Sequence, residues 1–186
     1  LFNLVDACLF SDLVEFYENL DGADEGFSEM SGFTFTNLFS DIRKAVDTVH
    51  HNGELKDKTI EMVEQLVDRT PKLSILLDRL SKSGKKTFLL TNSGYSYTER
   101  LMSYLLNGFS EEKPNWKDYF DYIIVAAKKP SFFSSGTALR EVNLETGTLS
   151  VKNITKFEKG KVYNGGSMSV FSRLSGSVGQ DVLYVG

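Results

Sequence analysis

One cysteine, Cys8, is all that this sequence of 186 residues contains, so an internal disulfide is excluded and a reducing compartment fits. The apolar neighbours Ala7, Leu9 and Phe10 suggest a packed thiol rather than a reactive one. Long apolar runs are missing too: none approaches the roughly 18 residues of a membrane-spanning helix. No signal-peptide pattern opens the chain, and the expectation is a cytoplasmic protein with no membrane partner. Positive charge is not in excess. Lys and Arg number 21 against 25 Asp and Glu, the net charge is −4, and no Lys/Arg run tracks a phosphate backbone, which argues against a nucleic-acid partner. Internal repeats and low-complexity tracts are absent. What is present is an ordinary globular balance, 41% hydrophobic and 25% charged, enough for one core or for a core with a small cap. The chain begins at Leu1 without a methionine and stops at Gly186, directly after a run (181–185) that reads as a core strand, so a piece of a longer protein is expected.

Residues 4–20 carry a helical apolar pattern, and 21–32 read as an acidic, glycine-containing loop. Ile42, Ala45, Val46 and Val49 recur at helical spacing and predict a helix that Gly53 stops. Ile60, Val63, Leu66 and Val67 predict a second, and Leu73, Leu76, Leu77 and Leu80 a third that ends at Gly84. After Gly84 the pattern changes. Residues 87–91 predict a buried strand, and 97–106 an amphipathic helix with Tyr97, Leu101, Tyr104 and Leu105 inward and a capping box from Ser96 to Glu99. A loop with Trp116 leads to a second strand over 122–127. A hairpin turning at Glu145-Thr146-Gly147, a short helix near 167–175 and a last strand over 181–185 complete the order. Short aliphatic strands with helices between them predict a parallel sheet covered on both faces.

In such sheets ligands sit beyond the carboxyl ends of the strands. Thr91, Asn92 and Ser93 stand at one such end, just before a helix whose first N–H groups favour an anion. Lys128 and Lys129, before Pro130, stand at the next, where a lysine beside hydroxyl and amide donors can hold a phosphate. Taken singly, the first cluster also reads as a turn with a helix entry and the second as a solvated corner. Two successive strand ends together bring in phosphate chemistry. A response-regulator receiver would share these features, but the helical first half and the hairpin count against it. Arg43, Asp47 and His50 form a polar stripe at i, i+4 and i+7 with two readings. One is an exposed ion pair worth about 0.3–0.5 kcal/mol beside a surface imidazole; the other is a face that reads a ligand. Phe2 carries no signal beyond being apolar.

Longer runs carry a resemblance. "LLTNSGYSYTERLMSYL", "WKDYFDYIIVAAKKPSFF", "VYNGGS" and "QDVLYVG" occur in that order, preceded by "LFNL" and "DIRKAVDTVHHNGELKDKT". Together they resemble the cytosolic purine 5′-nucleotidases of the haloacid dehalogenase superfamily over nearly the whole chain. The related 5′-nucleotidase domain-containing proteins share the Thr-Asn-Ser and Lys-Pro signatures and match the Arg-Asp-His helix and the Gly-Gly-Ser segment less well. By this resemblance the fold is α/β: a Rossmann-like parallel sheet core (haloacid dehalogenase-like) over 85–186, with a β-hairpin insertion near 138–163, and a mainly helical cap over 1–84. Thr91 and Asn92 match the motif that binds the transferring phosphoryl group, and Lys129 the lysine that neutralises charge on the phosphate and the nucleophile. Lys128 stands where the family has an arginine. Ser93 resembles a substrate-phosphate or ribose contact. Arg43, Asp47, His50 and Lys56 match the nucleotide-binding positions of the cap, and Phe2 the aromatic that stacks on the purine. Gly94, in place of an aspartate, and His51, in place of a tyrosine, depart from the family pattern.

The resemblance implies hydrolysis of IMP or GMP to nucleoside and phosphate through an aspartyl-phosphate, with phosphotransfer to a nucleoside acceptor as a second outcome. It implies Mg²⁺ as cofactor and a homotetramer. The nucleophile is expected upstream of Leu1 and metal-ligand aspartates upstream and after Gly186, so no metal ligand is expected within this chain and no turnover by it alone. Asp6 and Asp181 lie in neither motif. The alternative, from a different class, is a catalytically silent relative that binds nucleotide or serves as a scaffold.

Overall fold

The computed structural model describes residues 2–19 and 34–185, the side chains of Phe2 and Asn3 excepted, and divides into two compact units, Leu1–Glu61 and Met62–Gly186. The acidic loop expected over 21–32 and the Phe2 side chain lie outside the described residues. Among those residues no helix is long and apolar enough to cross a membrane.

The first unit is helical: α1 (Phe2–Glu18), α2 (Phe35–Asn52) and α3 (Glu54–Glu61). The Thr34 side chain accepts from the Asn37 N–H and caps α2, and Gly53, left-handed at φ 90°, ends it as its sequence position predicts. On α1 the covered stripe is Asp6, Phe10, Leu13, Val14 and Tyr17. Cys8, two residues past Asp6, is turned about 200° away from it, and this is why the thiol is exposed rather than packed. On α2, Ile42 is buried while Ala45 and Val49 are exposed, so one neighbouring helix covers only part of the expected stripe. The Phe10 ring meets Phe35 and Phe39 edge-on at 6.1 and 6.2 Å.

The second unit holds α4 (Val63–Leu66), α5 (Lys72–Lys82), β1 (Phe88–Leu90), α6 (Tyr95–Leu106), β2 (Tyr122–Val125), β3 (Leu139–Glu141), β4 (Tyr163–Gly165) and α7 (Met168–Ser175). Three 3-10 turns, Trp116–Tyr119, Ser131–Phe133 and Gly179–Asp181, complete it. The single helix expected around Ile60–Val67 is broken at Met62, whose backbone leaves the helical region at φ −112°, ψ 29°. Met62 and Leu66 find no cover, and without a packed face nothing enforces continuity there.

The sheet runs in the order β1-β2-β4-β3, with β1, β2 and β4 parallel and β3 antiparallel to β4. The α/β reading and its parallel core hold. β2 is the buried centre: Ile123 and Val125 pack with Leu77, Met102, Leu106, Trp116 and Phe120, and Ile124 packs on the other side with Phe132, Leu139, Tyr163 and Phe171. Cover on both faces is what a parallel strand requires. At the other end of β1, the Thr87 hydroxyl donates to the Tyr119 carbonyl at 2.6 Å and the Asp121 carboxylate accepts from the Thr87 N–H at 2.9 Å.

Several elements depart from expectation. α6 begins at Tyr95 after Gly94, so Ser96 lies inside the first turn and cannot cap; Glu99 instead accepts from the Tyr95 hydroxyl and pairs with Lys117. The buried positions of α6 are Thr98, Met102 and Leu106, one residue on from the expected face. Of the α5 leucines only Leu77 is buried. The hairpin turn forms where expected, with Asn143 and Thr148 hydrogen-bonded across Gly147, but β3 takes its main ladder with β4. The last strand does not form. A 3-10 turn ends at Asp181, and Leu183 and Val185, 84% and 82% exposed, have no strand beside them among the described residues. An extended run without a ladder partner is not a strand.

Asp78 ties α5 to the loop before Trp116. Its carboxylate takes Lys113 at 2.6 Å and Lys82 at 2.8 Å. Hydrogen bonds from Lys113 and then Lys82 hold it down to about 2. A folded value below the unfolded one makes this contribution complete above about pH 4 and lost as the pH falls through about 2. Asp78→Asn is therefore expected to flatten the acid limb of stability, read from denaturation midpoints between about pH 5 and pH 2.5; an unaltered limb would refute the linkage.

Candidate functional site

β1, β2 and β4 are parallel, so their carboxyl ends share one edge of the sheet; Thr91-Asn92-Ser93 and Lys128-Lys129 follow the ends of β1 and β2, and Gly165 closes β4 ahead of Gly166-Ser167. The first two groups are tied together by backbone. The Thr91 N–H donates to the Ile124 carbonyl and the Ala127 N–H to the Thr91 carbonyl, both at 3.0 Å, and the Ala126 N–H reaches the Ser93 carbonyl at 2.8 Å. Ala126 and Lys128 take left-handed backbones, φ 48° and 58°, which non-glycine residues adopt rarely. That sharp reversal after β2 brings the lysines against the first loop. The Asn92 side chain then closes a reciprocal pair: its carbonyl accepts from the Lys129 N–H at 2.6 Å and its amide donates to the Lys129 carbonyl at 2.9 Å.

The Lys129 side chain runs back over the end of β1. Its ammonium donates to the Leu90 carbonyl at 2.9 Å and to the Tyr184 hydroxyl at 2.7 Å, and lies 5.0 Å from the Tyr184 ring centre. Both acceptors are neutral, and none of the ion pairs among the described residues involves Lys129. The Thr91 hydroxyl accepts from the Ser93 N–H at 3.1 Å. Gly94 offers no side chain to cap α6, leaving the positive end of the helix dipole at the same edge. Thr91, Ser93 and Lys129 are half-buried, Asn92 and Lys128 exposed.

This donor set fits an anion. It does not fit Mg²⁺, which takes oxygen ligands and chiefly carboxylates: the edge offers a hydroxyl, a carboxamide and ammonium groups, and among the described residues no group of three or more His, Cys, Asp or Glu could hold a metal. At β4 the paired glycines serve the fold. Gly166 sits at φ 82°, and a Cβ there would stand 2.6 Å from Leu139 Cδ1; buried Ser167 caps α7.

In the helical unit, Arg43, Asp47 and His50 share one face of α2, and Lys56 lies on α3 beyond Gly53. Arg43 is engaged by the buried Asp6 of α1 and, at 3.1 Å, by Asp47. The hydrogen bond to Asp6, its charge and then that of Asp47 push the guanidinium above its ordinary value. Arg43 thus joins α1 to α2, a role that spacing along α2 did not reveal because the partner is 37 residues away. His51 Nδ1 lies 2.6 Å from the Asp47 carbonyl. Tyr184 is the contact that sequence reasoning missed: its run reads as a strand, and only the tertiary structure puts its hydroxyl on Lys129.

Comparison with known proteins shows the family. A family model described as the 5′ nucleotidase family matches residues 1–186. A 5′-nucleotidase domain-containing protein of Dictyostelium discoideum is 34% identical over the whole chain, which covers 30% of that protein. The 5′-nucleotidase domain-containing protein 2 of Homo sapiens is 31% identical over 186 residues, 33% of its length, and that of Rattus norvegicus 31% identical over 31% of its length. These names state a 5′-nucleotidase domain and no base. The chain spans about a third of the length of these relatives and belongs to the 5′ nucleotidase family.

Proposed function

We propose that this chain supplies the phosphate subsite and part of the nucleotide-binding surface of an enzyme that hydrolyses the 6-oxopurine nucleoside monophosphates IMP and GMP to nucleoside and phosphate. The single observation that carries the phosphate reading is the Lys129 ammonium, held by neutral acceptors beside Thr91 and Asn92 at the strand ends. A cation so placed meets charge on a transferring phosphoryl group, as preorganised donors do. The Thr91 hydroxyl, whose oxygen accepts from the Ser93 N–H, keeps its own O–H to donate to the phosphoryl oxygens, and the Ser93 hydroxyl stands beside it. The nucleophilic carboxylate and the Mg²⁺ sites belong to residues outside this chain, so the 186 residues alone are not expected to turn over. On α2 and α3, Asp47, His50 and Lys56 are the groups for the nucleotide, with Arg43 fixing Asp47 in place.

The second reading is a catalytically silent relative that binds nucleotide or scaffolds a complex. It is favoured by the structural use of two matched residues: Arg43 by Asp6, and the Asn92 side chain by the Lys129 backbone. Phosphate release by the complete protein from IMP, GMP, AMP and CMP separates the readings. Faster release from IMP and GMP is expected; equal rates across all four bases would refute the oxopurine preference. No release from any of them by folded protein would favour the silent relative.

A further inference from the structure

We propose that Tyr184 is a positioning residue for Lys129, taking one ammonium N–H on its hydroxyl and lying under the charge with its ring. The inference rests on the phosphate reading above. An ammonium has three N–H donors and no acceptor. The Leu90 carbonyl takes one at 2.9 Å and the Tyr184 hydroxyl a second at 2.7 Å. With two donors fixed, the direction of the third is fixed as well, and it is the one left for an incoming anion. The ring, 5.0 Å from the nitrogen, adds the attraction of an aromatic face for a cation.

Tyr184 is itself braced. Phe133 meets its ring edge-on at 5.8 Å, and Phe133 closes the 3-10 turn that follows Lys129 and Pro130. The loop that carries the lysine therefore also holds the residue that aims it. A lysine on a flexible four-carbon stem otherwise loses rotamer freedom on meeting its ligand, which weakens binding. A carboxylate at this place would orient the ammonium but also neutralise it. A phenol hydroxyl orients it and leaves the full charge for phosphate, which is the property a phosphate-binding ammonium needs.

The test is inhibition of the complete protein by inorganic phosphate and, separately, by inosine, with kcat, KM and Tm measured alongside. Tyr184→Phe keeps the ring and its contact with Phe133 and removes only the hydroxyl. It is expected to weaken inhibition by phosphate about three- to tenfold, with inosine inhibition and Tm as in the wild type. Tyr184→Leu, which also removes the ring, is expected to weaken phosphate further. A Phe variant with wild-type or tighter phosphate inhibition overturns the positioning role, and so does equal weakening of phosphate and inosine, which a merely structural residue would give. A wild-type protein that phosphate does not inhibit removes the phosphate reading and this inference with it. Inhibition of the wild type with an unchanged Phe variant removes the inference alone.

Discussion

Replacing Lys129 by alanine in the complete protein is expected to lower phosphate release about 100- to 1,000-fold, the loss that follows removal of one preorganised electrostatic group from a transition state. The fold should survive the change. What binds Lys129 to the neighbouring loop is its backbone N–H and carbonyl, both on the Asn92 side chain, and neither depends on the residue's own side chain. What alanine removes is the ammonium over the Leu90 carbonyl, a cation with no carboxylate partner among the described residues. The loss should therefore fall mainly on kcat, where charge on the transferring group is greatest, with an unaltered Tm. Lys129→Arg, which keeps the charge but changes the number and direction of donors, should recover part of the rate. A Lys129→Ala variant within threefold of the wild type would rule out this residue as the phosphate cation.

The parts of this architecture legible in the sequence are those set by local chemistry. The run from Thr87 to Thr91 could be read as a strand because its aliphatic residues are bounded by polar ones, and β1 occupies Phe88–Leu90. Gly53 and Gly84 mark helix ends because each takes a left-handed backbone there, at φ 90° and 74°. The meeting of Asn92 with Lys129 was legible only as two clusters at successive strand ends. The bond between them depends on the left-handed turn at Ala126 and Lys128, and nothing in two such side chains announces it. Periodicity also marks apolar stripes without saying whether anything covers them. Leu73, Leu76 and Leu80 repeat as regularly as Leu77, yet only Leu77 meets the core of the sheet unit. The run from Val182 to Val185 has the composition of a strand, but a strand is made by its neighbour and none lies beside it among the described residues. Cys8 is a similar case, since its apolar neighbours along the chain occupy other sides of α1.

The largest stability effect is expected at Trp116. This side chain is fully buried, meets Phe120 edge-on at 6.2 Å, and fills the layer between β2 and the residues Leu77, Met102 and Leu106. Its backbone is fixed independently: the Trp116 N–H donates to the Asn107 side chain at 2.7 Å, and Asn115 and Asp118 close a capping box around the turn. The turn therefore does not relax to fill the space, and Trp116→Ala leaves a cavity costing about 3–5 kcal/mol. That is a large fraction of the roughly 5–15 kcal/mol by which a domain is stable. The consequence reaches the site, because β2 carries Lys128 and Lys129 at its end and the Thr91 backbone is bonded to it. Hydrogen exchange at the amides of Ile123, Ile124 and Val125 in the complete protein should quicken by at least about 100-fold, since each 1.4 kcal/mol is worth a factor of ten. Leu183→Ala, at a position 84% exposed, serves as the contrast and should stay within about 0.5 kcal/mol of the wild type. If exchange in β2 changed by less than threefold in the Trp116 variant, the packed layer described here would not be what holds the strand ends in place.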